Sequence, residues 1–304
     1  MKLSIVIPCY NSAKNISSLL RNILSQILDN VEIVIVNDGS KDNTLEAINN
    51  VLGEYNDLRG QVNVISIENS GAGMARQVGL EQSKGQYVSF CDSDDRISND
   101  FVKLVLSSIE NTPDMIYFSS VVSGVDGRYI RDKIRVPDCM SLSDNREAFN
   151  LLFSKLGYTS AVWSFAFNRD VAISSGASFI NRAVHEDHMF TLTVLSRAKR
   201  INFLSNVIYY YVDEMGSLTR SAKKITYLEQ RYEAYLETKN LVMNSFGLEN
   251  FGLYREWTIR ALLALVRDNK HLFSNPKNLG FLINLLAKEG FFAVKVTFNK
   301  ILHS

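Results

Sequence analysis

A chain of 304 residues with 46% apolar side chains can bury a substantial core, as one large α/β domain or as a domain of roughly 200 residues with an appendage. Lys plus Arg number 33 against 32 Asp plus Glu, a net charge of +1 without the basic excess of a nucleic-acid binder, so no nucleic-acid partner is expected. No apolar run approaches the roughly 18 residues of a spanning helix. The chain opens Met1-Lys2-Leu3-Ser4 directly into a strand, which predicts no signal peptide and a cytoplasmic location. Cys9, Cys91 and Cys139 are odd in number and lack C-x-x-C spacing. Cys9 and Cys91 close apolar runs, which predicts free buried thiols in a reducing compartment.

Residues 3–7 form an apolar strand ending at Pro8, followed by the loop Cys9-Tyr10-Asn11-Ser12. Apolar residues at helical spacing predict a helix over 14–27. Residues 31–36 are nearly all Val and Ile, as in a parallel strand buried on both faces. That strand ends at Asn37-Asp38-Gly39-Ser40, and Asp42 or Asn43 opens a helix to about Tyr55. A third strand covers 62–67, a helix 74–83 and a fourth strand 86–91. A helix is predicted over 98–110, a strand over 114–119, a hairpin turn at 124–127, and a basic strand over 128–136. A helix over 143–153, a strand over 161–167 carrying Trp163, a helix opening at Val184 and running to about Ser196, and an aromatic strand over 201–212 complete the alternating region. Residues 216–220 read as a loop; from Thr226 onward the pattern is helical. The boundary is placed near 222, between a region 1–222 and a helical extension 223–304.

Four strand–helix alternations predict a doubly wound, mainly parallel sheet, which binds ligands beyond the carboxyl ends of its strands. Every early polar cluster lies at such an end: Tyr10-Asn11, Asp38-Gly39-Ser40, Asn69-Ser70-Gly71 and Asp92-Ser93-Asp94-Asp95.

The local chemistry of each cluster allows two readings. Three carboxylates within Asp92-Ser93-Asp94-Asp95 repel one another unless a cation neutralises them, and Mg2+ and Mn2+ take oxygen ligands. The other reading is a solvated turn in which Asp94 or Asp95 caps a helix starting near Ser98. Gly71-Ala72-Gly73 opens like a dinucleotide fingerprint, but Arg76 stands where the third glycine belongs, which argues against a nicotinamide or flavin. Arg76 either faces a phosphate or makes an ion pair on a helix surface. Asp38 either accepts from a base or ribose, or forms an Asx-turn within Asn37-Asp38-Gly39-Ser40. His185-Glu186-Asp187-His188 lacks zinc-protease spacing; its acids suit a helix N-terminus, or Asp187 serves as a general base if the fold brings it to the rim.

Taken together these segments resemble glycosyltransferase family 2, inverting enzymes with a GT-A fold. Ser4-Ile5-Val6-Ile7-Pro8-Cys9-Tyr10-Asn11 resembles the family's opening strand. Val31 through Ser40 with Asp42-Asn43-Thr44 resembles its E-I-I-V-V-D-D-G-S-x-D-x-S/T element. Asn69-Ser70-Gly71 through Ala75-Arg76, with Gly79-Leu80, Lys84-Gly85 and Tyr87, resembles its N-x-G-x-x-x-A-R-N-x-G-L…A-x-G-x-Y run. Asp92-Ser93-Asp94-Asp95 matches D-S-D-D, Glu186-Asp187 resembles the acidic pair, and Tyr209-Tyr210-Tyr211 with Ser217 and Thr219 resembles Y-x-Y…S-x-T. The resemblance implies that Pro8, Tyr10, Asn11, Asp38, Arg76, Asp92 and Ser93 hold a nucleotide. It implies a Mn2+ or Mg2+ cofactor on Asp94 and a base at Asp187, with Trp163, Glu186 and His185 near the donor sugar or acceptor. The implied partners are a UDP-sugar donor and a saccharide or lipid-linked saccharide acceptor of surface polysaccharide synthesis. Gln77 stands where Asn is usual, and Phe165 follows Trp163-Ser164 where a polar or basic residue is common. A sugar-nucleotide nucleotidyltransferase would need a Gly-rich triphosphate loop after the first strand, which is absent; a scaffold without chemistry would not require Asp92, Asp94 and Asp187.

In the extension, apolar residues 281–286 and 291–298 are interspersed with Lys288, Lys295 and Lys300. That pattern suits either a helix lying on the inner face of the cytoplasmic membrane, or one packed on the catalytic domain or on a partner subunit of a homo-oligomer.

Overall fold

The computed structural model of the chain describes residues 1–137, 140–213 and 224–302, with side chains through Glu289 and at Phe292. Cys139 and the 216–220 loop lie outside the described residues. Two compact units are present, Met1–Glu214 and Met215–Ser304.

The first unit begins β1 (Leu3–Cys9), α1 (Ile16–Leu24), β2 (Val31–Asp38), α2 (Thr44–Glu54), β3 (Val62–Ile67), α3 (Ala72–Gln82), β4 (Tyr87–Phe90). It continues β5 (Arg96–Ile97), α4 (Phe101–Ser108), β6 (Met115–Ser123), β7 (Tyr129–Ile134), β8 (Met140–Leu142), α5 (Asn145–Leu151), β9 (Phe165–Asn168), α6 (Arg169–Ser175), α7 (His188–Arg197) and β10 (Ile201–Val212). The strands form one mixed sheet in the order β3-β2-β1-β4-β9-β6-β10-β5, with β7 on β6 and β8 on β10. β1 through β4 are mutually parallel, while β9 runs antiparallel to both β4 and β6. β6 therefore runs with β4, and β10 is parallel to β6. All their carboxyl ends share one edge.

The core follows from the sequence pattern. β1 and β2 are buried at every position, as their unbroken apolar runs require. α3 lies close on β1 because Gly79 has no side chain: a Cβ there would stand 2.2 Å from Val6 Cγ1.

Several boundaries differ from expectation for identifiable reasons. No helix starts at Ser98: Arg96–Ile97 pairs antiparallel with Tyr210 and Tyr209, and α4 starts at Phe101 with Asp100 at its N-cap. The cap reading of Asp94 and Asp95 is thereby overturned. The 161–167 strand is shorter, because Val162–Ser164 make a turn of 3-10 helix before β9. Residues 184–187 are loop, and α7 begins only at His188. β8 was not anticipated, nor was α6, where Asn168 Oδ1 accepts the N–H groups of Asp170 and Val171.

In the second unit, α8 (Ile225–Asp268) is broken at Gly247, whose φ of 88° and ψ of 169° lie outside helical space. α9 (Pro276–Leu302) packs on it with Phe281 edge-on to Tyr232 at 6.3 Å, and with buried Glu289 paired to Arg255 at 2.7 Å. On α9, Ile283 and Leu286 remain exposed. Among the described residues no helix is long and apolar enough to cross a membrane.

Candidate active site

The loops after the parallel strands are tied to one another. Asn11 has φ 50°, a left-handed conformation that Asn tolerates. Its N–H donates to Ser40 Oγ at 3.0 Å, and its Oδ1 accepts from Lys41 N–H at 2.8 Å. Ser12 N–H donates to Thr44 Oγ1 at 2.8 Å, and its hydroxyl shares a 2.7 Å hydrogen bond with that of Ser93. Three of the four rim clusters are thus joined. Tyr10 stands exposed beside them, and Pro8 is buried where the β1–β4 pairing has already ended at Val6 and Phe90.

Asp38 is buried, with its Oδ1 and Oδ2 accepting from the backbone N–H groups of Ser70 at 2.7 Å and Gly71 at 2.9 Å. The Asx-turn expected here is made by its neighbour: Asn37 Oδ1 accepts from Ser40 N–H at 3.2 Å. Asp38 instead fixes the loop that opens α3.

The three carboxylates of the β4 turn have separate fates. Asp92 Oδ1 is 2.8 Å from Arg76 Nη2. Asp95 is buried; its Oδ2 accepts from Tyr209 OH at 2.7 Å and its Oδ1 from Val212 N–H at 2.8 Å. Burial, with the charges of Asp92 and Asp94 beside it, pushes the Asp95 carboxyl well above the usual range. Tyr209 OH also accepts from Asp92 N–H at 3.1 Å, and its ring lies face to face with Trp163 at 4.6 Å. Trp163 is therefore a buried wall behind the turn. Asp94 alone of the three is exposed. A hard carboxylate on an open turn fits a divalent ion that draws further ligands from phosphate oxygens and water. Among the described residues no three His, Cys, Asp or Glu side chains converge on a metal-sized space.

Across from this turn lies the loop ahead of α7. His185 there has φ 60°, an uncommon backbone state for a non-glycine residue. Glu186 Oε1 is 2.6 Å from Arg76 Nη1, so one buried guanidinium joins the β4 turn to the α7 loop. The expected choice between a phosphate contact and a surface ion pair is answered differently: Arg76 makes a buried bridge. Burial works against its charge, but Asp92 and Glu186 more than offset this and push its proton affinity up. Gly73 permits the approach, since a Cβ there would lie 3.0 Å from Glu186 Cγ. Gln77, a departure from the family pattern, uses its Oε1 to accept Phe179 N–H at 3.3 Å and so grips the same loop.

Asp187 occupies the N-cap position of α7 without making a side-chain cap bond. Its Oδ1 accepts from Ser160 Oγ at 3.1 Å, and the Ser160 carbonyl accepts from Thr191 Oγ1 at 2.6 Å. Burial first, then the charge of Glu186, push the Asp187 carboxyl up to about 7, against the opposing pull of Arg76 and Ser160. A carboxyl poised near neutrality is matched to proton abstraction. His188 is buried at the start of α7, edge-on to Tyr158 at 6.3 Å. Cys9 and Cys91 are free and buried as expected, and burial pushes the Cys9 thiol up to about 12.

The predicted residues Tyr10, Asn11, Asp38, Arg76, Asp92, Ser93, Asp94, Glu186 and Asp187 thus share one connected edge. Sequence reasoning missed Ser160 and the Tyr209 hydroxyl. Nothing in Tyr158-Thr159-Ser160 distinguishes it from an ordinary polar loop.

Comparison with known proteins follows the same outline. The model of glycosyl transferase family 2 matches residues 4–187. The uncharacterized glycosyltransferase YibD of Escherichia coli is 27% identical over 225 residues, covering 72% of this chain and 63% of that protein. The poly(ribitol-phosphate) beta-N-acetylglucosaminyltransferase TarS of Staphylococcus aureus is 32% identical over 218 residues, covering 69% of this chain but only 35% of its own length. The crystal structure of S. aureus TarS 1-349 in complex with UDP-GlcNAc superposes with a TM-score of 0.69 at 24% identity, covering 97% of this chain and 79% of that one, which supports the GT-A fold.

Proposed function

Because the chain belongs to glycosyl transferase family 2, we propose that it moves a hexose or N-acetylhexosamine from a UDP-sugar to a saccharide hydroxyl, forming a β-glycosidic bond. Asp187 takes the acceptor proton as the hydroxyl oxygen attacks the anomeric carbon. The bond from that carbon to the diphosphate breaks on the opposite face, and its electron pair leaves with UDP. Asp94 would hold a Mn2+ or Mg2+ ion, which when bound supplies positive charge to the departing diphosphate. Tyr10, Asn11 and the Ser70–Gly71 loop that Asp38 holds form the nucleotide side of the edge.

The observation that carries this reading is the Arg76 bridge. It joins Asp92, read as facing the nucleotide, and Glu186, next to the proposed base, on one guanidinium. Two residues far apart in the sequence, to which the proposal gives different roles, are thereby tied to one side chain. The UDP-GlcNAc complex of TarS supports a uridine donor, and that protein's poly(ribitol-phosphate) acceptor supports a role in polysaccharide assembly, which the proposal sets at the cytoplasmic face of the membrane. A lipid-linked acceptor would suit that setting. The helical second unit is the proposed contact with that membrane or with a second subunit.

A thermal-shift screen of UDP-, GDP- and dTDP-sugars with and without Mn2+ tests the donor: uridine compounds should raise Tm, and more so with metal. Stabilisation by another nucleotide independent of metal would contradict it. Asp187→Asn should lower transfer by about 10²–10⁴-fold, the usual worth of a general base, while UDP binding survives.

A further inference from the structure

A cavity lies near the carboxyl ends of β6 and β10, beside the β6–β7 hairpin. The hairpin and β10 border this space of about 270 Å³, which is open to solvent and lined by Val121, Ser123, Tyr129, Asp132, Arg135 and Tyr210, among others. Tyr210 directly follows Tyr209, whose hydroxyl accepts the Asp92 N–H, and it pairs in register with Val121. Three features point to a ligand. Ser123, one of the lining residues, is 1% exposed, and its Oγ makes no hydrogen bond. A buried hydroxyl without a partner carries a desolvation cost that an incoming oxygen or N–H removes. Tyr129 is 59% exposed on a strand edge, an open aromatic face held by its OH donating to Asp132 Oδ1 at 3.3 Å. Asp132 in turn faces Arg135 at 3.6 Å, with both side chains open to solvent.

The hairpin is also basic. Arg128, Arg131, Lys133 and Arg135 outnumber Asp126 and Asp132, and Arg96 reaches in to donate to the Val125 carbonyl. Aromatic faces beside a carboxylate, a guanidinium and a buried hydroxyl match a sugar ring, which offers apolar C–H faces and hydroxyl edges at once. The lining itself carries one acid, Asp132, and one base, Arg135, and the excess on the surrounding hairpin favours a ring that carries negative charge.

We infer that this cavity is a subsite for an anionic saccharide unit of the acceptor, held away from the hydroxyl that reacts. The inference rests on the transferase reading, but binding at the cavity can be measured without turnover.

Titration of the full chain saturated with UDP, using tetragalacturonate and the neutral maltotetraose as probes, tests it. Tetragalacturonate should bind at least tenfold more tightly than maltotetraose. Tyr129→Ala and Arg135→Ala, both at exposed positions, should each weaken it at least tenfold without changing UDP affinity. Ser123→Ala should raise Tm, because a partnerless buried hydroxyl is removed, and yet weaken tetragalacturonate. Equal affinity for the two probes, unchanged binding in the three variants, or competition between tetragalacturonate and UDP would each overturn the inference. Loss of UDP binding itself would count against the donor reading and leaves these comparisons to be made on the UDP-free protein, with the same expected ratios.

Discussion

The two acidic clusters of the edge, Asp92–Asp95 and Glu186–Asp187, make an instructive pair. In each, sequence neighbours of identical charge are driven to opposite tasks by their partners. Asp95 spends both oxygens on β10, and Glu186 spends an oxygen on Arg76. Asp94 is exposed on its turn, and Asp187 Oδ1 accepts from the Ser160 hydroxyl at 3.1 Å. Asp95 and Glu186 help build the edge, and Asp94 and Asp187 are the residues to which the proposed chemistry falls. Arg76 is what keeps the clusters together.

Removing Arg76 should have the largest effect on this arrangement. Arg76→Ala leaves Asp92 and Glu186 as partly buried charges without their cation, which costs about 3–5 kcal/mol when a buried pair loses one partner. Urea denaturation should show that loss, together with loss of transfer. Arg76→Lys should recover only part of it, since an ammonium cannot serve both carboxylates as a planar fork does. A cost below about 1 kcal/mol would mean that the bridge contributes little.

Ser160→Ala should do less and do it selectively. The lost hydrogen bond is worth about 1 kcal/mol, or roughly a fivefold lower kcat, with UDP affinity unchanged and Ser160→Thr restoring the rate. Because this bond helps hold Asp187 ionised, its removal should also move the acidic limb of the rate profile to higher pH. An equal loss of UDP affinity would make Ser160 a general packing residue instead.

The first half of the fold was legible because β1, β2 and β4 are buried at every position and α1 and α2 are amphipathic, so periodicity places most of its elements. The second half was less so. β8 is three residues long and β5 two, too short for any periodic signal, and β5 exists only because β10 offers Tyr209 and Tyr210 as partners. The edge was legible as a set of polar clusters at strand ends, and the family resemblance ordered them. What could not be read was which atoms face which. That Asn37 and not Asp38 makes the turn, that Asp95 is buried, and that Ser160 reaches Asp187 from 27 residues away are consequences of tertiary packing.

The central claim is that Asp187 is the base, and its titration gives the sign of the test. The carboxyl titrates near 7 in the folded chain against an ordinary 3.8. Its contribution to stability is therefore complete below 3.8 and is lost as pH rises through 7, a loss that Asp187→Asn should not share. For catalysis the ionised form is the active one. The deciding measurement is the pH profile of UDP release, with the UDP-sugar that the thermal-shift screen selects. It should rise as a single ionisation centred near 7 and level off above it. A rate that is flat from about pH 5.5 to 9, in a regime where chemistry limits turnover, would contradict the assignment.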